Sequence, residues 1–78
     1  MRILFFAQVR QATGCASVEL SPGDVDADGL WQALIAAHPR LAGHRQTVRL
    51  ARNGRFASVG EHFVDSDEVA LIPPVSGG

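Results

Sequence analysis

The 78-residue chain contains no lysine and only one cysteine, Cys15. Without lysine it has neither a Schiff-base amine nor the lysine of a phosphate-binding P-loop. One cysteine supplies neither an intramolecular disulfide nor a cysteine cluster for zinc, so a reducing cytoplasm is the expected location. We attribute the missing lysine to codon bias toward arginine. The functional alternative is that an activated carboxyl end gains from having no amine to attack it.

Long hydrophobic runs and a strong net charge are also missing. No apolar run approaches the roughly 20 residues that span a membrane, and the N-terminal MRILFFAQVR lacks the long apolar region and cleavage site of a signal peptide. With 46% apolar residues, 19% charged residues and a net charge of −1, the chain can bury the core of one domain. We expect a protein that is neither secreted nor embedded in a membrane.

The arginines are unevenly distributed, since five of the seven lie between Arg40 and Arg55. This stretch is either a solvated face or a contact surface for an acidic partner or a phosphate. On charge alone, binding to nucleic acid is the strongest rival interpretation. We do not expect it, because no aromatic side chains are interleaved with these arginines and the whole chain is slightly acidic.

Side chains that commonly carry catalysis are scattered along the chain. The histidines His38, His44 and His62 are not paired with one another or with Cys15 at metal-ligand spacing, and no base lies near Cys15 in the sequence. The carboxylates gather at predicted element boundaries, where capping and turn formation account for them. We therefore predict no metal site, no bound cofactor and no freestanding enzyme.

Hydrophobic periodicity predicts five strands. Residues 3–9 have the pattern of a strand that is apolar on both faces, and a polar loop follows them. Residues 16–20, 48–52, 55–58 and 68–72 supply the other strands. The Asn-Gly pair between the third and fourth strands predicts a type I′ hairpin turn.

One main helix is predicted between the second and third strands. Asp26 is placed to cap its N-terminus, and Pro39 ends it at His38. Its apolar stripe recurs at three- and four-residue spacing and comprises Ala27, Leu30, Trp31, Leu34, Ile35 and Ala37.

These elements predict an α+β fold in the order β-β-α-β-β-β. The first and last strands are the most apolar, so we expect them side by side at the centre of a mixed sheet, with the helix as the crossover between parallel neighbours. This is a β-grasp, or ubiquitin-like, arrangement. The predicted domain spans residues 1–72, and residues 73–78 form a flexible tail that ends in Gly-Gly.

The opening ILFFAQVR, the ending DEVALIPPVSGG and the strand order between them resemble the ubiquitin-like ThiS/MoaD family over the whole chain. Within it they resemble the MoaD-type sulfur carriers, the small subunits of molybdopterin synthase. The resemblance implies that a partner adenylating enzyme (MoeB-type) uses ATP to adenylate the carboxylate of Gly78. A sulfur donor system then converts it to a thiocarboxylate. That sulfur passes to cyclic pyranopterin monophosphate in a complex with the large subunit (MoaE-type), commonly a heterotetramer.

The same resemblance implies roles for individual residues. Pro73 and Pro74 hold the tail extended, and Val75, Ser76 and Gly77 enter a narrow channel with Gly78 at the tip. By position in the family motif, Phe6, Phe56 and Ile72 match hydrophobic residues that contact the large subunit, although position 56 is often aliphatic. Arg52 and its neighbouring arginines are predicted to orient docking on an acidic rim.

Three alternatives stay open at this point. A thiamine-type sulfur carrier of the same fold also ends in Gly-Gly, but such carriers are typically shorter and lack the LFFA opening and the Pro-Pro pair. A ubiquitin-like protein modifier would instead form an isopeptide bond through Gly78. A pure interaction module would have an inert tail.

Overall fold

The computed structural model describes residues 1–74, which form a five-stranded mixed sheet in the order β2-β1-β5-β3-β4. Its helices pack together on one face of that sheet. The strands are β1 (Arg2–Phe5), β2 (Ser17–Glu19), β3 (Arg49–Arg52), β4 (Arg55–Phe56) and β5 (Glu68–Ile72), and the helices are α1 (Ala7–Thr13), α2 (Ala27–Ala37) and a 3₁₀ helix (Pro39–His44).

The central strands β1 and β5 run parallel, with Ile3 opposite Val69 and Phe5 opposite Leu71. Parallel neighbours need a crossover connection, and α2 lies within it. β2 pairs antiparallel with β1, and β3 pairs antiparallel with β5. The predicted β-grasp fold and its central strand pair are confirmed.

Alternation along the central strands separates the core from the opposite face of the sheet. Ile3, Phe5, Val69 and Leu71 point toward the helices and are at most 2% exposed. The side chains that pack around them come from the helices, β3 and two loops: Met1, Val9, Leu30, Trp31, Leu34, Leu41, Val48, Leu50 and Phe63.

The N-terminus of α2 follows its predicted cap. The carboxylate of Asp26 accepts the backbone N–H of Gly29 at 2.8 Å, and the helix ends before Pro39. A Cβ atom added at Gly29 would lie 3.1 Å from the Cβ of Val25, so glycine lets the incoming chain pass close to the first turn. Of the predicted stripe, Ala27 and Ala37 are exposed because they lie at the two ends of the helix.

The prediction was wrong for residues 7–13, which form α1 rather than the end of a strand and a loop. The strand stops at Phe5, and Ala7 turns the chain with a positive φ of 48°. Val9 is the one buried residue of α1, so this helix has little apolar periodicity to detect in the sequence. Gly14, in the left-handed conformation with φ 76°, ends it as a helix C-cap.

The β3–β4 hairpin has its predicted turn, with φ of 51° at Asn53 and 86° at Gly54. The same turn is tied to β5 by side-chain hydrogen bonds. Asn53 Oδ1 accepts the backbone N–H of Glu68 at 2.9 Å, and Asn53 Nδ2 donates to Asp67 Oδ1 at 2.9 Å. The hairpin is therefore held to the start of β5 by side-chain hydrogen bonds as well as by the backbone pairing of β3 with β5.

Asp67 is a buried carboxylate with three donors. Its Oδ2 accepts from Arg52 Nε at 2.7 Å and from the Val64 N–H at 2.8 Å, while Oδ1 accepts from Asn53. Burial alone would raise the pKa of Asp67, but the hydrogen bonds from Val64, Arg52 and Asn53 outweigh it and hold the pKa below its usual value. The ionised form is thus the one that the fold stabilises.

Replacing Asp67 by asparagine is expected to lower the free energy of unfolding by about 2 kcal/mol at neutral pH, because a charged acceptor of three hydrogen bonds is lost. The depressed pKa of Asp67 makes its contribution fully present above 3.8 and lost as the pH falls through the folded-state value. Urea unfolding at pH 7 and in steps below pH 4 measures both effects.

Asp65→Asn is the matched control, because Asp65 is exposed and the new amide oxygen can still accept the Gly23 N–H. It should change stability by no more than about 0.5 kcal/mol. Equal losses in the free energy of unfolding for the two variants would show that the buried Asp67 carboxylate stabilises the fold no more than the exposed Asp65 carboxylate.

Candidate functional site

The face of the sheet opposite the helices is apolar, and nothing in residues 1–74 covers it. The strand registers align Leu4, Ala70, Ala51 and Phe56 in a row across four strands. These side chains line a shallow cleft of about 350 Å³ together with Phe6, Gly54, Glu68 and Ile72. We call this surface the outer face.

Two aromatic side chains stand out on the outer face. Phe6 is 45% exposed and Phe56 is 53% exposed. Phe6 is directed outward as the residue between β1 and α1, whereas Phe56 follows from the hairpin turn that pairs it with Ala51. Exposed apolar groups that gather in one patch are typical of a binding surface.

The structure brings together Phe6, Phe56 and Ile72, the three residues predicted to contact a large subunit. They come from three separate stretches of the chain and meet because β5 lies between β1 and β3. Their role in binding stays a prediction, and their shared location is what makes a single contact surface possible.

Arg52, predicted with them, lies on the other side of the sheet. It shares the helix-facing side with its register partner Val69 and donates to Asp67 and, at 3.3 Å, to Glu61. Hydrogen bonds to Asp67 first, and then to Glu61, raise the pKa of Arg52 above its usual range. Arg52 therefore holds loops together and does not lie on the rim of the outer face.

Arg49 is the arginine at the tail end of the outer face, and it was not among the residues predicted by name. Its guanidinium carbon lies 3.8 Å from the centre of the Phe56 ring, and the residue sits opposite Ile72 in the sheet. Alternation within VRLAR could have identified it, because Arg49 and Ala51 must point to the side opposite Leu50.

The tail leaves the sheet at the same end of the outer face. β5 ends at Ile72, and Pro73 is half-buried while Pro74 is exposed. Since β5 runs parallel to β1, this end lies beside Phe6 and the start of β3. The remaining predicted tail residues lie outside the described part of the chain: Val75, Ser76, Gly77 and Gly78.

The model of the ThiS family matches residues 3–78. The chain belongs to the ThiS family. It is 38% identical to the molybdopterin synthase sulfur carrier subunit of Mycobacterium tuberculosis, covering 100% of this chain and 96% of that protein. The human protein of the same name is 33% identical, covering 100% and 93%. The crystal structure of SAMP1 from Haloferax volcanii matches with a TM-score of 0.79 at 32% identity, covering 99% and 97%.

Other polar side chains of this ThiS-family chain have structural partners. Cys15 is half-buried and contacts the carbonyl oxygen of Thr13 at 3.7 Å. His62 Nδ1 lies 2.7 Å from Asp24 Oδ1, and the ring of His38 packs edge-on against Phe5. Within residues 1–74, no three His, Cys, Asp or Glu side chains are grouped to hold a metal, and no helix could span a membrane.

The outer face should contribute little to stability, which a pair of substitutions can test. Leu71 is fully buried, so Leu71→Ala is expected to cost about 3 kcal/mol. Phe56 is half exposed, so Phe56→Ala should cost about 1 kcal/mol or less. Urea unfolding of both variants measures the difference. Comparable losses would mean that the outer face belongs to the stabilising core.

Proposed function

We propose that this chain is a sulfur carrier for molybdenum cofactor biosynthesis. A partner enzyme adenylates Gly78, a thiocarboxylate replaces the adenylate, and its sulfur passes to cyclic pyranopterin monophosphate within molybdopterin synthase. The observation that carries the proposal is the apolar outer face at the end of the sheet where the tail departs. The relatives named molybdopterin synthase sulfur carrier subunit, aligned over the full chain, support it.

The chemistry needs a partner for each step. A carboxylate at neutral pH is a poor electrophile, so adenylyl transfer from ATP, with release of pyrophosphate, first gives Gly78 a leaving group. Sulfur from a donor system then displaces AMP, and the resulting thiocarboxylate is ionised and polarisable. In this proposal ATP is used by the activating enzyme (MoeB-type), and the carrier itself binds no cofactor.

The catalytic pocket belongs to the partner in this scheme. Among residues 1–74 the polar groups hold loops, caps and turns, and the ion pairs between two side chains lie off the outer face. The large subunit (MoaE-type) would therefore supply the acid–base groups, while this chain supplies a docking surface and an arm. We place these steps in the cytoplasm, consistent with a lone half-buried cysteine.

A ubiquitin-like modifier is the second candidate, because the chain is also similar over nearly its whole length to SAMP1 of Haloferax volcanii, which is named small archaeal modifier protein 1. A modifier would join the Gly78 carboxyl to an amine of a target protein. Both candidates need the activated tail, so they differ in the acceptor, which is sulfur for a carrier and a lysine for a modifier. The outer face alone does not decide between them.

The acceptor can be identified by mass spectrometry of the intact chain. Incubation with ATP, the activating enzyme and a sulfur source should add the mass of one sulfur-for-oxygen exchange, and a chain lacking Gly78 should gain nothing. A product that instead appears as conjugates to lysines of other proteins would favour the modifier. An unchanged mass in complete reactions would contradict both candidates.

Binding to the large subunit should depend on Phe6. Phe6→Asp places a charge within the apolar contact and is expected to weaken binding by a factor of about 100 or more. Ala36→Asp is the control, since Ala36 is exposed on α2, on the opposite side of the sheet from the outer face. Isothermal titration calorimetry compares them. Similar affinities for both variants would place the contact elsewhere.

A further inference from the structure

Arg49 is held in a defined position at the tail end of the outer face. It is the first residue of β3, opposite Ile72, and its guanidinium stacks on the ring of Phe56 at 3.8 Å. The side chain is exposed. A guanidinium over the face of an aromatic ring is held there by a cation–π interaction, which positions the cation without placing a carboxylate beside it.

Arg45 and Arg52 form ion pairs within the molecule, whereas Arg49, like Arg40 and Arg55, is in none of the ion pairs of residues 1–74. Arg45 pairs with Asp28, and Arg52 pairs with Asp67 and Glu61. None of the ion pairs or side-chain hydrogen bonds within residues 1–74 includes Arg49. Its one described interaction, with Phe56, orients the cation without neutralising it.

The opposite end of the outer face carries acidic groups. Glu68 lines the cleft there, and the strand registers place Arg2 between Glu68 and Glu19. Both glutamates are exposed with Arg2 between them, and the buried N-terminal ammonium of Met1 lies 3.9 Å from Glu19 Oε2. The two ends of the outer face therefore differ in charge pattern: the tail end carries the Arg49 cation, and the far end carries the Glu68 carboxylate opposite Arg2.

From this arrangement we infer that Arg49 is a specificity-determining residue of the docking face, which donates to a carboxylate that the partner carries beside the entrance for the tail. The inference rests on the proposed function and names the chemistry of the partner surface. The partner's apolar patch would be flanked by an acidic side chain at the tail entrance.

Orientation is the reason that such a contact matters. Apolar contacts among Leu4, Ala51, Ala70 and their neighbours are non-directional, so they tolerate a partner rotated in the plane of the sheet. A rotated complex would set the partner carboxylate against Glu68 and direct the tail away from the channel. Charged contacts at a rim set orientation and association rate more than affinity.

Stacking on Phe56 also lowers the cost of the contact. The ring limits the rotamers of Arg49 before binding, so less side-chain entropy is lost when the carboxylate arrives. Two parallel N–H···O bonds can then form from one planar group to one carboxylate. Lysine could supply the charge at this position but not the planar pair of donors.

The test compares three variants of the full chain binding to the large synthase subunit of the same organism. Arg49→Gln removes the charge, Arg49→Lys keeps it, and Arg55→Gln is the control with an equal charge change. Arg55 is exposed and points to the opposite side of the sheet from Phe56. Affinity and association rate are measured at low and at high NaCl, after thermal unfolding confirms that each variant is folded.

Arg49→Gln should weaken binding about tenfold at low salt and reduce the salt dependence of the association rate. Arg49→Lys should keep the salt dependence but dissociate about threefold faster. Arg55→Gln should stay within about twofold of the unmodified chain. Equal effects of Arg49→Gln and Arg55→Gln would overturn this inference alone. Failure of the unmodified chain to bind would overturn both the inference and the proposed function.

Discussion

The parallel pairing of β1 with β5 is the constraint on which the rest of the structure depends. It requires a crossover, which places α2 on one face, and no other element within residues 1–74 covers the opposite face. It also sets the direction in which the chain leaves the sheet, because Ile72 must end beside Phe6. One backbone arrangement thus determines the position of the core, of the outer face and of the departing tail.

A buried carboxylate on the helix side supports the geometry of the opposite face. β4 contains only two residues, so its own ladder holds Phe56 weakly. The hydrogen bonds from Asn53 and Arg52 to Asp67 fix the turn and the last residue of β3 to the chain entering β5. Since Phe56 stacks with Arg49, the network also affects where that cation lies, although none of its members is on the outer face.

The sequence was informative where a local signal and the tertiary fold agree. Asp26 caps α2 as predicted, and Asn53 with Gly54 makes the predicted turn, because both depend on a few adjacent residues. The helix α1 was missed because tertiary packing of Val9, rather than a repeated apolar pattern, gives it a place in the fold.

The case of Arg52 and Arg49 shows a different limit. The two arginines are equivalent in composition, and the carboxylate that binds Arg52 lies 15 residues away, where no spacing rule connects them. Strand alternation alone could have assigned the two arginines to opposite faces, but it could not have placed Arg49 on the Phe56 ring. That contact requires the hairpin register, which only the folded chain supplies.

The separation of core and outer face suits a carrier that visits two partners in turn. Under the proposed function, one surface has to dock first on the activating enzyme and then on the large subunit, so it cannot bind either one permanently. Exposed aromatic groups supply contact area for both, whereas the Arg49 cation at the tail end sets the orientation of the complex. Because the buried side chains of β1 and β5 stabilise the fold independently, the outer face can be optimised for exchange between partners without weakening the domain.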